Sequence, residues 1–323
     1  MKLRAVLRTL AVLSVVLLAG PAPAQDAYPS KPVRFVVPFP AGGPADVLVR
    51  LYAQQLGERW GKPVLVDNRA GATGTIGVDA VAKAAPDGYT LLFTVDLPIV
   101  MAPALLKTPY DVKRDLVPIA AVAEGMNMLV AHPSTGVRTL AELVAAAKER
   151  PGTLTFASAG NASPGHVCGE LLKRGAGIEL THVPYKGAAP AMNAALAGEV
   201  SIFCGPIPVG LPHVKAGKLR ALGVTGTKPS PLAPGLAPLS ATYPEVVLSN
   251  WYAVFAPART PAAVIRFLAD ELERVAADAT VRERLAGIGV DPLWLAGPQL
   301  AQAVDSDGER WARVIKAANI RAE

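Results

Sequence analysis

Two strand-to-helix junctions constrain this chain more than anything else in it. The first reads FVVPFPAGGPADVLVR from Phe35 to Arg50, and the second reads FASAGNASPGHVCGELL from Phe156 to Leu172. In each, an apolar strand-like run ends in Pro and Gly or in small polar residues. A proline then stands where a helix begins, followed by apolar residues at helical spacing. Gly43 and Ser163 sit at the N-cap position, Pro44 and Pro164 take the first helical position where a missing N–H costs nothing, and Asp46 and His166 fall in the first turn. Pro40 and Gly42 stiffen and bend the first junction so that backbone amides line the helix mouth. Such a mouth attracts anions.

The surrounding grammar is α/β. Val33 to Val37, Val64 to Val66 and Thr90 to Thr94 read as strands separated by helical patterns. The alternation restarts with strands at Met128–Ala131, Leu154–Ala157, near Val183 and at Val200–Phe203, with helices at Leu140–Lys148 and Val167–Leu172. A proline-rich stretch from Thr227 to Pro244 lacks periodicity. Beyond it come an apolar strand at Trp251–Phe255 and helices at Ala262–Ala276 and Pro298–Ala318. The expected architecture is a two-lobed α/β fold, each lobe a mainly parallel sheet flanked by helices. Lobe 1 comprises residues 25–125 and 250–323, and lobe 2 residues 126–249. The chain then crosses between lobes near Ala123–Asn127 and Ser249–Ala253, which makes a hinge. Because ligands sit at the carboxyl ends of parallel strands, hinged lobes would point both helix mouths into one cleft.

Composition narrows the function. Lys2, Arg4 and Arg8 precede an apolar stretch from Leu10 to Gly20, and Ala22-Pro23-Ala24 supplies a small-x-small cleavage pattern, so residues 1–24 are expected to be an export signal. That stretch is too short to cross about 30 Å of hydrocarbon. Removing it lowers the formal net charge from +6 to +3. With 6% aromatic residues and no basic run, nucleic acid is not an expected partner. His132, His166, His182 and His213 lack metal-ligand spacing, so neither metal nor cofactor is expected. GATGTIG matches neither a dinucleotide fingerprint nor a phosphate loop, and FASAG lacks the leading glycine of a nucleophile elbow.

The segments YPSKPVRFVVPFPAGGPAD, VDNRAGATGTIG, APDGYTLLF, AELVAAAKERPGTLTFASAGNASPGH, THVPYKGAAPAMNAALAGEV, AGKLRALGVT and WYAVFAPARTP run in order over nearly the whole mature chain. In them the sequence resembles the extracytoplasmic solute-binding receptors of tripartite tricarboxylate transporters, the Bug receptor family. The resemblance implies a type II periplasmic-binding-protein fold that closes on a small organic anion and delivers it to two integral-membrane subunits. It also implies a periplasmic, non-enzymatic, monomeric protein.

Carried over by position, the ligand-gripping loops correspond to Pro40–Asp46 and Ser158–Ser163. The expected ligand contacts are Phe39, Pro40, Ala41, Gly42, Gly43 and Asp46 in the first lobe, with Gly74, Thr94 and Asp96 nearby. In the second they are Ser158, Ala159, Gly160, Asn161, Ser163, His166, Tyr185, Cys204 and Gly205. Asp46 has two readings, a cap that complements the helix dipole or a partner for a ligand amino group or hydroxyl. Export and an even cysteine count favour a disulfide between Cys168 and Cys204. The chain departs from the family in the text after TGTK and at Gly205, where related receptors often place an acid. Two rival functions stay open: a sensor feeding a membrane kinase, and a small-ester hydrolase using Ser158 or Ser163.

Overall fold

The computed structural model of the protein describes residues 28–161 and 163–317. The expected export signal, residues 1–24, lies outside the described residues, as does Ala318 at the end of the last expected helix. Three parallel strands open the fold: β1 (Val33–Val37), β2 (Val64–Asn68) and β3 (Thr90–Val95), paired in the order β2-β1-β3. β1 is almost entirely buried, as its VRFVV sequence requires of a parallel strand covered on both faces. The crossovers carry α1 (Pro44–Trp60) and α2 (Thr75–Ala82). α1 starts after Gly43 in extended conformation, with Pro44 in its first turn, and stops at Gly61 in the left-handed region.

A π-helical turn at Leu97–Met101 and the short helices α3 (Ala102–Leu105) and α4 (Val112–Asp115) lead into β4 (Leu116–Ala131), a strand of 16 residues. The second half then repeats the plan with α5 (Leu140–Glu149), β5 (Thr155–Ser158), α6 (Pro164–Ala176), β6 (Thr181–Pro184), α7 (Ala188–Ala197), β7 (Ile202–Pro206), α8 (Ile207–Lys215) and β8 (Arg220–Val224). The proline-rich stretch forms a loop with one 3₁₀ turn. The chain returns through β9 (Ser249–Pro257), α9 (Ala262–Ala277), α10 (Ala279–Ile288), β10 (Asp291–Ala296) and α11 (Gly297–Ala317).

Each half holds parallel pairs, β5 lying parallel to β6 and β7, but the sheets are mixed where the halves join. β4 leaves the first lobe and β9 comes back to it, so they run antiparallel to each other and β9 runs antiparallel to β3. β4 pairs with β9 up to Met126↔Ser249, then with β7 from Asn127↔Pro206 and with β8 from Met128↔Val224. Thr225 ties this crossing together. Its hydroxyl accepts from Asn127 N at 2.9 Å and donates to Leu248 O, while its amide donates to Asn127 O at 2.9 Å and its carbonyl accepts from Leu248 N at 2.7 Å. The returning helices cover the first lobe: α9 and α10 pack on α1, and Arg59 of α1 grips buried Glu271 of α9 at 2.8 and 3.0 Å.

Candidate functional site

The loop from β1 to α1 is shaped by one carboxylate. Gly42, at φ +84°, donates its amide to Asp46 Oδ2 at 2.9 Å, and Asn68 Nδ2 donates to Asp46 Oδ1 at 3.0 Å and to Phe39 O at 3.1 Å. Arg50 Nε lies 3.0 Å from both oxygens of Asp46. Asp46 is 3% exposed. The Arg50 hydrogen bond, with help from Gly42 and Asn68, holds its carboxyl at about 2 against the opposing effect of burial. The side chain thus turns back into its own loop and braces Gly42. The amides of Ala45 and Asp46 occupy the first turn, where a helix leaves its N–H groups without intrahelical acceptors.

The second loop, from β5 to α6, is pinned from below. Ser158 is fully buried, and its hydroxyl lies 2.7 Å from His182 Nε2 and accepts from Gly160 N at 3.2 Å. Tyr185 N donates to Ser158 O at 3.1 Å and Gly187 N to Ala159 O at 3.2 Å, which anchors the loop to the end of β6. Ser163 caps α6 by accepting from His166 N at 3.3 Å. His166 stacks on His182 with ring centroids 4.0 Å apart, and Phe156 backs His182 at 4.7 Å. Burial lowers both imidazole pKa values, His182 to about 4 with His166 contributing, so the stack is uncharged at neutral pH. The four histidines that look scattered in sequence therefore include one packed pair. Among the described residues no group of three His, Cys, Asp or Glu is placed to hold a metal ion.

α6 starts hard against β7. A Cβ at Gly165 would stand 2.1 Å from Cys204 O, so only glycine allows this approach. Cys168 and Cys204 are disulfide-bonded one turn later, with Cα atoms 6.5 Å apart. Gly205 faces the Phe203 ring, which a Cβ would meet at 2.1 Å. An acid at this position would collide with Phe203, and the chain has none.

The two mouths meet. Pro44 and Pro164 line one cavity of about 300 Å³, together with Val95 at the end of β3, Gly125–Asn127 of β4, Pro206 at the end of β7, Pro208 and Val209 of α8, Asn250 and Tyr252 of β9, and the turn Ile288–Val290. A second cavity of about 330 Å³ shares Pro44, Val95 and Tyr252 and is lined by Phe39, Pro40, Ala41, Gly43 and Ala45. Among the described residues no charged side chain lines either one. The halves touch at the rim, where a Cβ at Gly289 would stand 1.8 Å from Pro208 Cγ. Larger depressions of about 470 Å³ beside α6 and α11, and about 780 Å³ between α1 and β2, lie on outer faces. Neither collects several strand ends, where open α/β sheets bind ligands.

Of the expected contacts, Phe39, Pro40, Ala41 and Gly43 line the cavities, and Gly42 sits between them. Asn161 is exposed on the second loop and Tyr185 half-buried against it. Gly74, Thr94 and Asp96 line neither cavity. A Cβ on Gly74 would stand 3.4 Å from Pro38 Cβ, Thr94 is buried with its hydroxyl on Val95 O at 3.1 Å, and buried Asp96 accepts from Asn250 Nδ2 at 3.2 Å. Burial, reinforced by Asp307, pushes the Asp96 carboxyl up to about 7. Cavity residues that sequence reasoning did not name include Asn127, Asn250 and Tyr252, all within the segments expected to form the hinge.

The family model described as tripartite tricarboxylate transporter family receptor matches residues 48–320. Protein BugT of Bordetella pertussis is 37% identical over 318 residues, covering 96% of this chain and 97% of its own. The solved structure of R. palustris Rpa4515 with adipate superimposes with a TM-score of 0.73 at 32% identity, over 91% of this chain and 99% of that one. MatC from Rhodopseudomonas palustris with bound malate gives a TM-score of 0.69 at 30% identity, over 89% of this chain and 100% of that one. Among the described residues no helix is long and apolar enough to cross a membrane. Two α/β lobes joined through β4 and β9, with two helix mouths on one cavity, accompany these matches, and the chain belongs to the tripartite tricarboxylate transporter receptor family.

Proposed function

We propose that this protein is a periplasmic receptor that captures a small organic carboxylate between its lobes and hands it to the membrane subunits of a tripartite transporter. One observation carries the reading: the first residues of two helices, one from each half of the chain, line the same cavity. The change of β4 partners at Met126 and Asn127 supports a lobe division there, with residues 25–125 and 250–323 on one side and 126–249 on the other.

The magnitudes are adequate. A micromolar complex needs about 8 kcal/mol. Two helix termini contribute up to about 2 kcal/mol each, and each hydrogen bond to a charged group about 1.5–3 kcal/mol, so two or three amides drawn from both lobes suffice. One terminus with one or two amides of a single loop reaches about 8 kcal/mol only at the top of both ranges, so closure over both loops is expected to be part of binding. The hydrolase alternative is disfavoured because Ser158 is enclosed and hydrogen-bonded within its loop, while Ser163 caps α6.

Thermal-shift screening of the mature protein against a carboxylate library tests this reading. A ligand at 100 times its Kd adds about 2.7 kcal/mol, which raises Tm by roughly 5 °C for a chain of this size. A library that leaves Tm unmoved would refute the carboxylate assignment.

A further inference from the structure

We infer that the cleft selects a carboxylate bearing a hydroxyl group, and that the Tyr252 hydroxyl and the Asn250 side-chain oxygen of β9 read that group together. The inference rests on the carboxylate-receptor reading and narrows it.

Asn250 and Tyr252 alternate with Trp251 on β9, so their side chains share one face of the strand. Both line the cavity that the two helix mouths share, and Tyr252 lines the neighbouring cavity as well. Trp251 faces the other way and donates Nε1 to Asp307 at 3.0 Å. The Tyr252 hydroxyl lies beside Gly125 of the shared cavity, 3.8 Å from where a Cβ would stand on that residue. The other buried tyrosines, Tyr52 and Tyr110, each give their hydroxyl to a backbone carbonyl. Tyr252 gives its hydroxyl to no protein atom among the described residues. Its oxygen is not sealed in, because the enclosed side-chain atoms without a partner are Asp79 Oδ1, Asn127 Nδ2, Asp291 Oδ1 and Trp311 Nε1. Burial, with Asp96 adding to it, pushes the Tyr252 pKa up to about 12, so the hydroxyl keeps its proton.

Asn250 supplies the complementary atom. Its Nδ2 donates to Asp96 Oδ1 at 3.2 Å. An ionised carboxylate can only accept, so the carboxamide turns its N–H to Asp96 and its oxygen away. That oxygen, on a half-buried residue, has no protein partner among the described residues and is not among the enclosed atoms. The wall therefore offers one open donor and one open acceptor, and among the described residues no charged side chain lines it. A ligand hydroxyl accepts from Tyr252 and donates to Asn250 without needing a countercharge. A ketone can only accept and leaves the Asn250 oxygen unmatched. A second carboxylate would face that oxygen with no cation beside it, and an ammonium would meet no anion.

Isothermal titration at about pH 8.5, where a carboxyl that titrates near 7 is ionised, tests the inference with two matched series. The first is pentanoate, its hydroxy isomers, 4-oxopentanoate and glutarate; the second is benzoate, its hydroxy isomers, 4-acetylbenzoate and terephthalate. In at least one series a hydroxy acid is expected to bind at least about tenfold tighter than the plain acid, the keto acid and the diacid. Tyr252→Phe is expected to cut that preference to below about threefold. Because the hydroxyl has no protein partner, the same variant should keep its Tm within about 2 °C of wild type. A plain acid, keto acid or diacid that binds tightest in both series overturns the inference and leaves the receptor reading standing. A preference for the hydroxy acid that survives Tyr252→Phe also overturns it, as does a variant that fails to fold, which would give the hydroxyl a structural role. If no carboxylate of any class binds, the receptor reading itself falls.

Discussion

Asp46 offers a quantitative test of how the first loop is built. Its carboxyl falls from an ordinary 3.8 to about 2 in the folded protein, chiefly through the hydrogen bond from Arg50. At 1.36 kcal/mol per pH unit that preference corresponds to roughly 2.4 kcal/mol as an upper figure. Asp46 is enclosed, but the Arg50 side chain is 52% exposed, and solvent screening reduces the expected contribution to about 1–2 kcal/mol. The sign follows from the lowered pKa. The stability is fully present above the unfolded value near 4 and is lost as pH falls towards 2. Asp46→Asn should therefore lower the urea-unfolding free energy by about 1–2 kcal/mol at pH 7. The difference between variant and wild type should shrink steadily between pH 4 and pH 2. A deficit that stays constant down to pH 3, or no deficit at pH 7, would refute the assignment of loop stability to this ion pair.

Two further substitutions probe the second loop and the rim. Replacing Cys168 and Cys204 together by serine opens a crosslink spanning 36 residues, which the chain-entropy relation values at about 4 kcal/mol. Equilibrium denaturation of the double variant checks this, and a loss below about 1 kcal/mol would show that the bond does little for the fold. Gly289→Ala places a Cβ on the Pro208 ring and forces φ +76° on alanine. Stability should fall by about 1 kcal/mol from the backbone, while ligand affinity should fall by at least about tenfold because the lobes cannot meet. Unchanged affinity by isothermal titration would mean that the Pro208–Gly289 contact plays no part in closure.

Much of this architecture was legible because it is local. The caps at Gly43 and Ser163 and the prolines that follow them depend on near neighbours, so spacing alone placed both helix starts. The two crossings between the halves were also legible, since the α/β alternation restarts after the first and a proline-rich stretch precedes the second, and β4 and β9 lie there. What the Asp46 side chain does was not legible, because Asn68 reaches it from 22 residues away. The same holds for His166 and His182, which stack only because α6, β5 and β6 pack together. β10 escaped notice because it carries Pro292 and pairs with β4 across an irregular register. Asn127 and Asn250 stood inside segments recognised as hinge, yet which side chains face the cleft depends on strands from both halves pairing with β4.

The most direct test of a ligand shared by two helix mouths is the crystal structure of the protein with the tightest-binding acid from the screen. A carboxylate oxygen is expected within about 2.7–3.2 Å of a first-turn amide of α1, at Ala45 or Asp46, and of an amide from the 158–166 segment of the other lobe. An acid held by one lobe alone, or lodged in the outer grooves beside α11 or β2, would contradict it.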